Sequence, residues 1–303
     1  MINVYLDTYN WIDLAEGKHR DTVDFLGMAV QKKTIRLPLS FFHCVEIMKG
    51  HYRESRDHVW RFAVSLSRCA GLLVRQHIEP DLIEEAVSRV FRVPRVANQV
   101  DPYTDSGLFG LPFGNDFPLT EACLHTPDGW IRFWLEMPPN IRDKIYSGLK
   151  EHEGSFIERR NKLKTSWRNY DYGMRKRAYA ACFLLNYQRS YRNALDKIGR
   201  SLNDIEALPM EQRISLVTEV PPWDVEVALA TQHQQQWDRP EEENDICDIS
   251  HLCMAVPYCD VLVTERYWVD KLRREKMDKK YNTRLLSDIS GLPTVLRSIV
   301  SGH

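Results

Sequence analysis

The chain has 303 residues, of which 43% are hydrophobic and 11% aromatic, which is enough for one large core or two ordinary ones. Seven cysteines without a CxxC pair argue against a disulfide framework and favour a reducing, cytoplasmic location. The amino-terminal residues lack the basic region of a signal peptide, and no apolar run approaches the ~20 residues of a membrane-spanning helix. We therefore expect a soluble globular protein that does not bind membranes.

The first fifty residues predict an alternation of strands and helices. INVYL at residues 2–6 is rich in strand-forming residues and stops at Asp7. A longer helix is predicted at 21–30, and TIRLPL at 34–39 has the composition of a second short strand. Ser40 can then cap a third element, a helix that runs to about Gly50. This order is typical of an α/β protein.

The pattern changes from about residue 51. The segments 57–74 and 80–91 predict amphipathic helices with no strand between them. Residues 94–139 hold seven of the chain's fifteen prolines, which excludes long regular elements there. Helical patterns return at 141–152 and again from about 156 to 200. We predict a largely α-helical insertion over residues 51–221.

The α/β alternation resumes in the last third of the chain. A helix is predicted through 245–256, a strand at VLVT, 261–264, another helix at about 267–275, and a short strand at TRLL, 283–286. Strands separated by helices imply right-handed crossovers and a parallel sheet. We therefore predict one α/β core with a parallel sheet, built from residues 1–50 and 222–303 and interrupted by the insertion.

Four acids stand where a parallel sheet gathers its sites. Asp7 follows the first strand and Glu265 follows VLVT, so both belong to the carboxyl edge of the sheet. Glu46 lies early in the helix after the second strand, and Asp248 lies near the start of the helix before VLVT. Clustered carboxylates repel each other unless a cation lies among them, and Mg²⁺ or Mn²⁺ prefers oxygen ligands. Such ions catalyse phosphodiester hydrolysis by activating water.

Three segments, VYLDT, FFHCVEIMKG and DISHLCMAVPYCDVLVTER, resemble in this order the motifs of the PIN-domain superfamily of metal-dependent nucleases. The resemblance covers both ends of the chain and leaves the helical insertion outside. It implies a three-layer α/β/α core in which Asp7, Glu46, Asp248 and Glu265 hold Mg²⁺ or Mn²⁺. Glu265 stands where the family usually has Asp. The resemblance implies an endoribonuclease that cuts RNA.

Two further acids leave alternatives open. Asp245, one turn before Asp248, is either an acid favoured at a helix amino terminus or an outer ligand of the metal. Asp260, at the entrance of the VLVT strand, either joins the metal site or faces elsewhere. Beside Asp7, Thr8 and Asn10 can hydrogen-bond a ligand, although Thr8 is as readily explained as a helix cap.

Other metal and nucleotide sites are less favoured. Cys247 and His251 have the i, i+4 spacing that binds Zn²⁺, with Cys253 close by, but no second pair follows. Ordinary helix positions explain these three residues better. The motifs of serine hydrolases, zinc proteases, dinucleotide-binding folds and P-loops are absent.

A basic segment predicts a nucleic-acid partner. Residues 159–200 contain twelve Lys or Arg against two Asp, and aromatic residues are interleaved among them. Basic groups bind phosphates, and aromatic faces stack unpaired bases. The alternative is a solvated basic face over an aromatic core. We expect this segment to flank the acids and guide RNA to them, and the candidate RNA-binding residues are Trp167, Arg168, Tyr170, Arg175, Lys176 and Arg177.

Several rival functions stay open on sequence alone. One is a catalytically inactive PIN-like module that binds RNA or a protein. Another is a nuclease that acts on DNA or on a small phosphate ester. A third is a helical interaction protein whose acids are unrelated surface residues. A second copy of the chain or a regulatory protein is a further candidate partner.

Overall fold

The structure is a computed structural model that describes residues 1–49, 53–94, 100–104, 157–236 and 242–301, together with residues 126, 129, 154, 239 and 240. The chain divides into two units. The first comprises Met1–Val74, Pro102–His152 and Tyr258–His303, and the second comprises Arg75–Asp101 and Glu153–Pro257. These breaks do not coincide with the predicted boundaries at 50/51 and 221/222. The helix predicted at 141–152 and most of the proline-rich segment lie outside the described residues.

A four-stranded parallel sheet organises the first unit, with the strand order β2-β1-β5-β6. The strands are β1 (Ile2–Leu6), β2 (Ile35–Arg36), β5 (Val261–Val263) and β6 (Arg284–Leu286). The prediction of a mixed α/β chain with a parallel sheet is confirmed. The strand predicted at 34–39 is shorter than expected, because Pro38 has no N–H to donate. Leu39 instead makes an isolated parallel bridge to Gly71.

A second, antiparallel pair lies where only helices were expected: β3 (Gly71–Leu72) pairs with β4 (Tyr103–Thr104). The prediction of uninterrupted helix over 57–74 was therefore wrong. The helix ends at Ser67 because Arg68 and Cys69 adopt φ values of 51° and 61°. Two successive left-handed residues cannot continue a right-handed helix, and they turn the chain toward β3.

Helices make up most of the remaining described chain, and none of those described is both long and apolar enough to cross a membrane. Residues 157–166 are helical, and a 3₁₀ helix covers Ile289–Gly291. The named helices are α1 (Thr8–Ala15), α2 (Arg20–Gln31), α3 (Phe41–Lys49), α4 (Arg53–Ser67), α5 (Arg75–Val90), α6 (Tyr172–Asn186), α7 (Gln188–Asp196), α8 (Leu202–Glu206), α9 (Met210–Thr218), α10 (Pro221–His233), α11 (Glu243–Tyr258), α12 (Arg266–Arg274), α13 (Met277–Tyr281) and α14 (Leu292–Ser301).

The sheet of the first unit is buried on both faces. Val4 and Leu6 of β1 and Val263 of β5 belong to a core that also receives apolar residues of α1, α2, α3, α4 and α14. Tyr5 and Leu262, which alternate with them and point to the other face, are also buried. Near-continuous apolar strands are what a parallel sheet covered on both faces requires. The sheet can therefore expose polar groups only where its strands end.

The second unit is held by an aromatic and ionic core. Trp223 of α10 packs against the rings of Phe183 and Tyr187, with centroids 5.1 and 4.4 Å away. Its indole N–H donates to Glu79, which also forms a 2.8 Å ion pair with Arg75. The buried acid is thus satisfied by a cation and an N–H donor.

Candidate metal centre

Asp7 stands at the carboxyl end of β1 and is the N-cap of α1. One carboxylate oxygen accepts a 2.7 Å hydrogen bond from the backbone N–H of Thr8. The other accepts a 2.8 Å hydrogen bond from the hydroxyl of Thr264, the residue that follows β5. Only 8% of Asp7 is exposed. Donors from two neighbouring strand ends therefore fix the orientation of this carboxylate.

Thr8 links Asp7 to Glu46. Its N–H donates to Asp7, and its hydroxyl donates to the carboxylate of Glu46, a half-buried residue of α3. The helix cap is Asp7 rather than Thr8, so the reading of Thr8 as a cap was wrong. Two of the predicted acids are thereby brought together through one side chain.

His43 anchors α3 to the end of β1. Its Nδ1 accepts a 2.8 Å hydrogen bond from the N–H of Ser40, and its Nε2 lies 2.7 Å from the carbonyl oxygen of Leu6. Because a carbonyl only accepts, Nε2 carries the proton and the ring is the neutral tautomer. His43 is fully buried one turn before Glu46. It therefore holds the helix that carries Glu46 against the strand that leads to Asp7.

The pKa values of Tyr5 and Tyr9 are raised in part by nearby carboxylates. Burial raises the pKa of Tyr5 well above its ordinary value, and the nearby charges of Asp7 and Glu46 raise it further. Burial also raises the pKa of Tyr9, partly offset by a hydrogen bond with Asn10. The negative charge near both hydroxyls has one common source, which is Asp7.

Two more carboxylates act on Tyr9, those of Glu265 and Asp288. Glu265 is exposed at the N-cap position of α12, immediately after Thr264. The N–H of Thr264 donates a 3.0 Å hydrogen bond to the carbonyl of Leu286, the last residue of β6. Asp288 follows two residues later and is exposed. We call Asp7, Glu46, Glu265 and Asp288 the acidic edge.

Asp288 was not predicted, although a signal for it existed. It comes two residues after the predicted TRLL strand, at the same edge of a parallel sheet as Asp7 and Glu265. Its carboxylate accepts a 2.8 Å hydrogen bond from the N–H of Ser290, which lowers its pKa. Counting acids after every predicted strand, including the last, would have found it.

Asp260 lies at the opposite edge of the sheet. Its backbone N–H donates to the carbonyl of Asn3, and its carboxylate accepts a 2.7 Å hydrogen bond from the N–H of the same residue. Asn3 belongs to the beginning of β1, whereas Asp7 follows its end. The structure therefore does not bring Asp260 to the acidic edge.

Asp245 has structural partners in the second unit. Its carboxylate forms a 2.7 Å ion pair with Arg239, lies 3.4 Å from Nε2 of His233, and accepts a hydrogen bond from the N–H of Glu242. Burial opposes its ionisation, but the hydrogen bonds with His233 and Glu242 outweigh burial and lower its pKa. Of its two predicted roles, the helix-start acid fits these contacts better.

Asp248 lies one turn after Asp245 in α11 and also belongs to the second unit. Its side chain is half-buried. The contacts of the acidic edge come entirely from the first unit, so the role of Asp248 stays a prediction.

A hard divalent cation fits the oxygen donors of the acidic edge. Mg²⁺ is commonly held by one or two carboxylates and several waters rather than by a complete protein cage. Asp7 and Glu46 supply such a pair. Oδ1 of Asn10 is a further buried oxygen without a hydrogen-bond partner, while Nδ2 of Asn10 donates to the carbonyl of Val263, which also accepts from the N–H of Asp7.

Groups of three ligands are absent from the described residues. No three His, Cys, Asp or Glu side chains in that part of the chain are arranged to hold one metal ion. Cys247, His251 and Cys253, which are buried in α11, form no such group with the other described residues. This result also means that an ion at the acidic edge would complete its coordination with water or substrate oxygens.

Two of the six candidate RNA-binding residues are buried in the second unit. Trp167 is 9% exposed, and its ring stacks on Tyr170 and meets Tyr179 edge-on. Arg175 is 8% exposed and donates from Nε to the carbonyl of Tyr170. These two residues support the fold and offer no open face to a base or phosphate.

The other four candidates reach the surface. Arg168 and Arg177 are exposed and, among the described residues, make no ion pair. Lys176 is half-buried, and Tyr170 is 36% exposed. The aromatic-core alternative therefore holds for part of the segment, while a basic surface persists on the rest.

Comparisons of the chain with family models, curated proteins and solved structures give no match. The fold and the site together define a mixed α/β protein whose parallel sheet carries carboxylates at its carboxyl edge.

Proposed function

We propose that this chain is a metal-dependent endoribonuclease with a three-layer PIN-like core. The observation that carries the proposal is the linkage of Asp7 and Glu46 through Thr8, with Thr264 orienting Asp7 from the neighbouring strand. A buried ionised carboxylate is costly unless it is hydrogen-bonded, paired with a cation or bound to a metal, and the donors around Asp7 hold its buried carboxylate in one orientation beside Glu46. The position at the carboxyl ends of parallel strands is where such sites form.

The residues of the acidic edge have separate roles in this proposal. Asp7 and Glu46 hold Mg²⁺ or Mn²⁺, and Asn10 contributes an amide oxygen beside them. Glu265 and Asp288, which are exposed, would add negative charge beside the ion and hydrogen-bond nearby waters. A bound ion supplies Lewis-acid stabilisation and lowers the pKa of a water that attacks phosphorus. Thr8, Thr264 and His43 keep the ligands in place.

The set of ligands differs from the six acids named as candidates from the sequence. Asp245 and Asp260 are left out, because one is paired with Arg239 and the other lies at the far edge of the sheet. Asp288 is added. Asp248 stays a predicted ligand, and Asp248→Asn should be tested in the same cleavage assay as Asp7→Asn.

The proposed substrate is single-stranded RNA. The support is a surface of exposed arginines, including Arg168 and Arg177, that have no acidic partner among the described side chains. Unpaired guanidinium groups bind phosphates with a strong dependence on salt. Tyr170, which is 36% exposed in the same basic segment, is the residue proposed to stack on a base.

Cleavage of labelled single-stranded RNA with and without Mn²⁺ tests the proposal. Asp7→Asn should abolish Mn²⁺-dependent cleavage, because the amide keeps the shape but lacks the charge that binds the cation. Asp260→Asn is the matched control, since this exposed acid lies at the opposite edge, and it should cleave like the wild type. Equal activity in Asp7→Asn would contradict the proposal. If the protein binds RNA without cleaving it, the catalytically inactive module is favoured. If it cleaves DNA but not RNA, the substrate is DNA.

A further inference from the structure

A cavity of about 280 Å³ opens among α6, α7, α8 and α9 in the second unit, away from any residue assigned to catalysis above. Its wall is mainly apolar. Leu185 is 66% exposed and stands at the mouth, so the cavity is open to solvent. The apolar wall residues are Ala181, Leu184, Leu185, Leu202 and Ile205.

Arg213 places a cation in this apolar wall. Its guanidinium makes no ion pair and no side-chain hydrogen bond with a described residue. A guanidinium without an acidic partner gains a charge-assisted hydrogen bond when an anionic acceptor arrives. The carboxylate of a ligand would supply that acceptor.

The other polar groups of the wall do not serve Arg213. The hydroxyl of Tyr191 donates a 2.8 Å hydrogen bond to the carbonyl of Leu216 and is therefore satisfied. Gln188 and Glu206 are exposed to solvent, and Glu206 makes no ion pair with Arg213. The cavity thus combines apolar walls with one unsatisfied cationic donor.

We propose that this cavity binds a small amphiphilic carboxylate, a medium-chain fatty acid of about the size of octanoate. The alkyl chain would cover the leucine and isoleucine wall, and the carboxylate would accept the hydrogen bond from Arg213. The volume of about 280 Å³ lies just below the ~300–1,000 Å³ of ligand pockets, which favours a molecule smaller than a drug or a peptide. The solvent around Glu206 screens its repulsion of the bound carboxylate.

Titration calorimetry on the full chain with octanoate, octanol and octylamine tests the site. Octanoate should bind most tightly. Arg213→Met, which keeps an apolar stem and removes the cation, should weaken octanoate at least ~10-fold and leave octanol nearly unchanged, as expected for loss of one charged hydrogen bond. Arg192→Met on α7 is the control, because Arg192 is exposed and does not line the cavity.

A second variant keeps the test independent of the stability of Arg213→Met. Ala181 is exposed yet lines the cavity, so Ala181→Trp should preserve the fold and fill the space. It should abolish binding of every probe. The proposal is overturned if the folded wild type does not bind octanoate, if Arg213→Met binds it as tightly as the wild type, or if Ala181→Trp still binds it.

Discussion

The hydroxyl of Thr264 donates a 2.8 Å hydrogen bond to the carboxylate of Asp7, although the two residues are 257 positions apart in the chain. The contact exists because β1 and β5 are parallel neighbours whose ends coincide, with Leu6 opposite Val263. A threonine at the end of one strand thereby orients the acid at the end of the other. The threonine at the end of the VLVT motif therefore serves to orient Asp7.

Thr264→Val should lower the free energy of unfolding by about 1–3 kcal/mol, because it leaves a buried carboxylate oxygen without its donor. Valine keeps the shape of threonine, so the loss of stability comes from the missing hydroxyl. Urea unfolding measures the change. A double-mutant cycle with Asp7→Ala isolates the contribution of the pair.

Thr34→Val is the control for this cycle. The hydroxyl of Thr34 likewise donates a hydrogen bond, here to the backbone carbonyl of Ala29, but Thr34 is exposed. Its replacement should change stability by no more than ~0.5 kcal/mol. Strict additivity of Thr264→Val and Asp7→Ala would show that the hydrogen bond contributes nothing.

Asp288→Asn should weaken Mn²⁺ binding about fivefold, roughly 1 kcal/mol for a carboxylate near a divalent cation in water-rich surroundings. The asparagine oxygen can still accept the hydrogen bond from Ser290, so the 3₁₀ helix should persist. Electron paramagnetic resonance of free Mn²⁺ measures the affinity directly. If Asp7→Asn loses affinity and Asp288→Asn does not, Asp288 is not part of the metal centre.

Asp245→Asn should destabilise the second unit by about 1–3 kcal/mol at neutral pH without changing Mn²⁺ affinity. The pKa of Asp245 in the folded protein lies below its ordinary value of 3.8. Its stabilising contribution is therefore fully present above pH 3.8 and is lost as the pH falls through the lower, folded-state pKa. Unfolding curves of both proteins between pH 2 and pH 7 should converge at the acid end. A variant that loses Mn²⁺ instead of stability would restore Asp245 as a ligand.

Arg168→Glu combined with Arg177→Glu should weaken binding to single-stranded RNA and make its dependence on salt shallower by about two charges. Arg175 is left intact, because its replacement would disturb the core beside Tyr170. Fluorescence anisotropy over a salt series provides the measurement.

Lys32→Glu with Lys279→Glu is the matched control for the arginine pair. Both lysines are exposed in the first unit, and the change in net charge is the same. This control should bind RNA nearly as well as the wild type. An equal loss in both double variants would mean that overall charge, and not the arginine surface, governs binding.

The regular elements of the first unit could be predicted because hydrophobic periodicity and residue composition are local properties of the sequence. The strands at 2–6 and 261–264 and the helix after Ser40 were placed to within a residue or two. The turn at Arg68 and Cys69 could not be predicted, because no glycine or asparagine marks its left-handed residues. The short β3 that follows it was missed for the same reason.

The site was predictable only in part, because burial and pairing depend on the whole fold. The grouping of Asp7 with Glu46 follows from strand order and helix position. A basic and aromatic segment, in contrast, does not reveal which side chains turn inward, so Trp167 and Arg175 were assigned to a surface that they do not reach. The pairing of Asp245 with Arg239 has no local signature, since a salt bridge depends on where the loop brings the arginine.

The order of the strands makes β1 pair with a strand that is synthesised much later. β1 is completed at residue 6, but its neighbour β5 and the outer strand β6 are completed only at residues 263 and 286. At about 5–20 residues per second, the ribosome needs more than ten seconds between them. Asp7 and Glu46 are therefore made more than ten seconds before Thr264, and during that time Asp7 lacks the hydroxyl donor that orients its carboxylate in the folded protein.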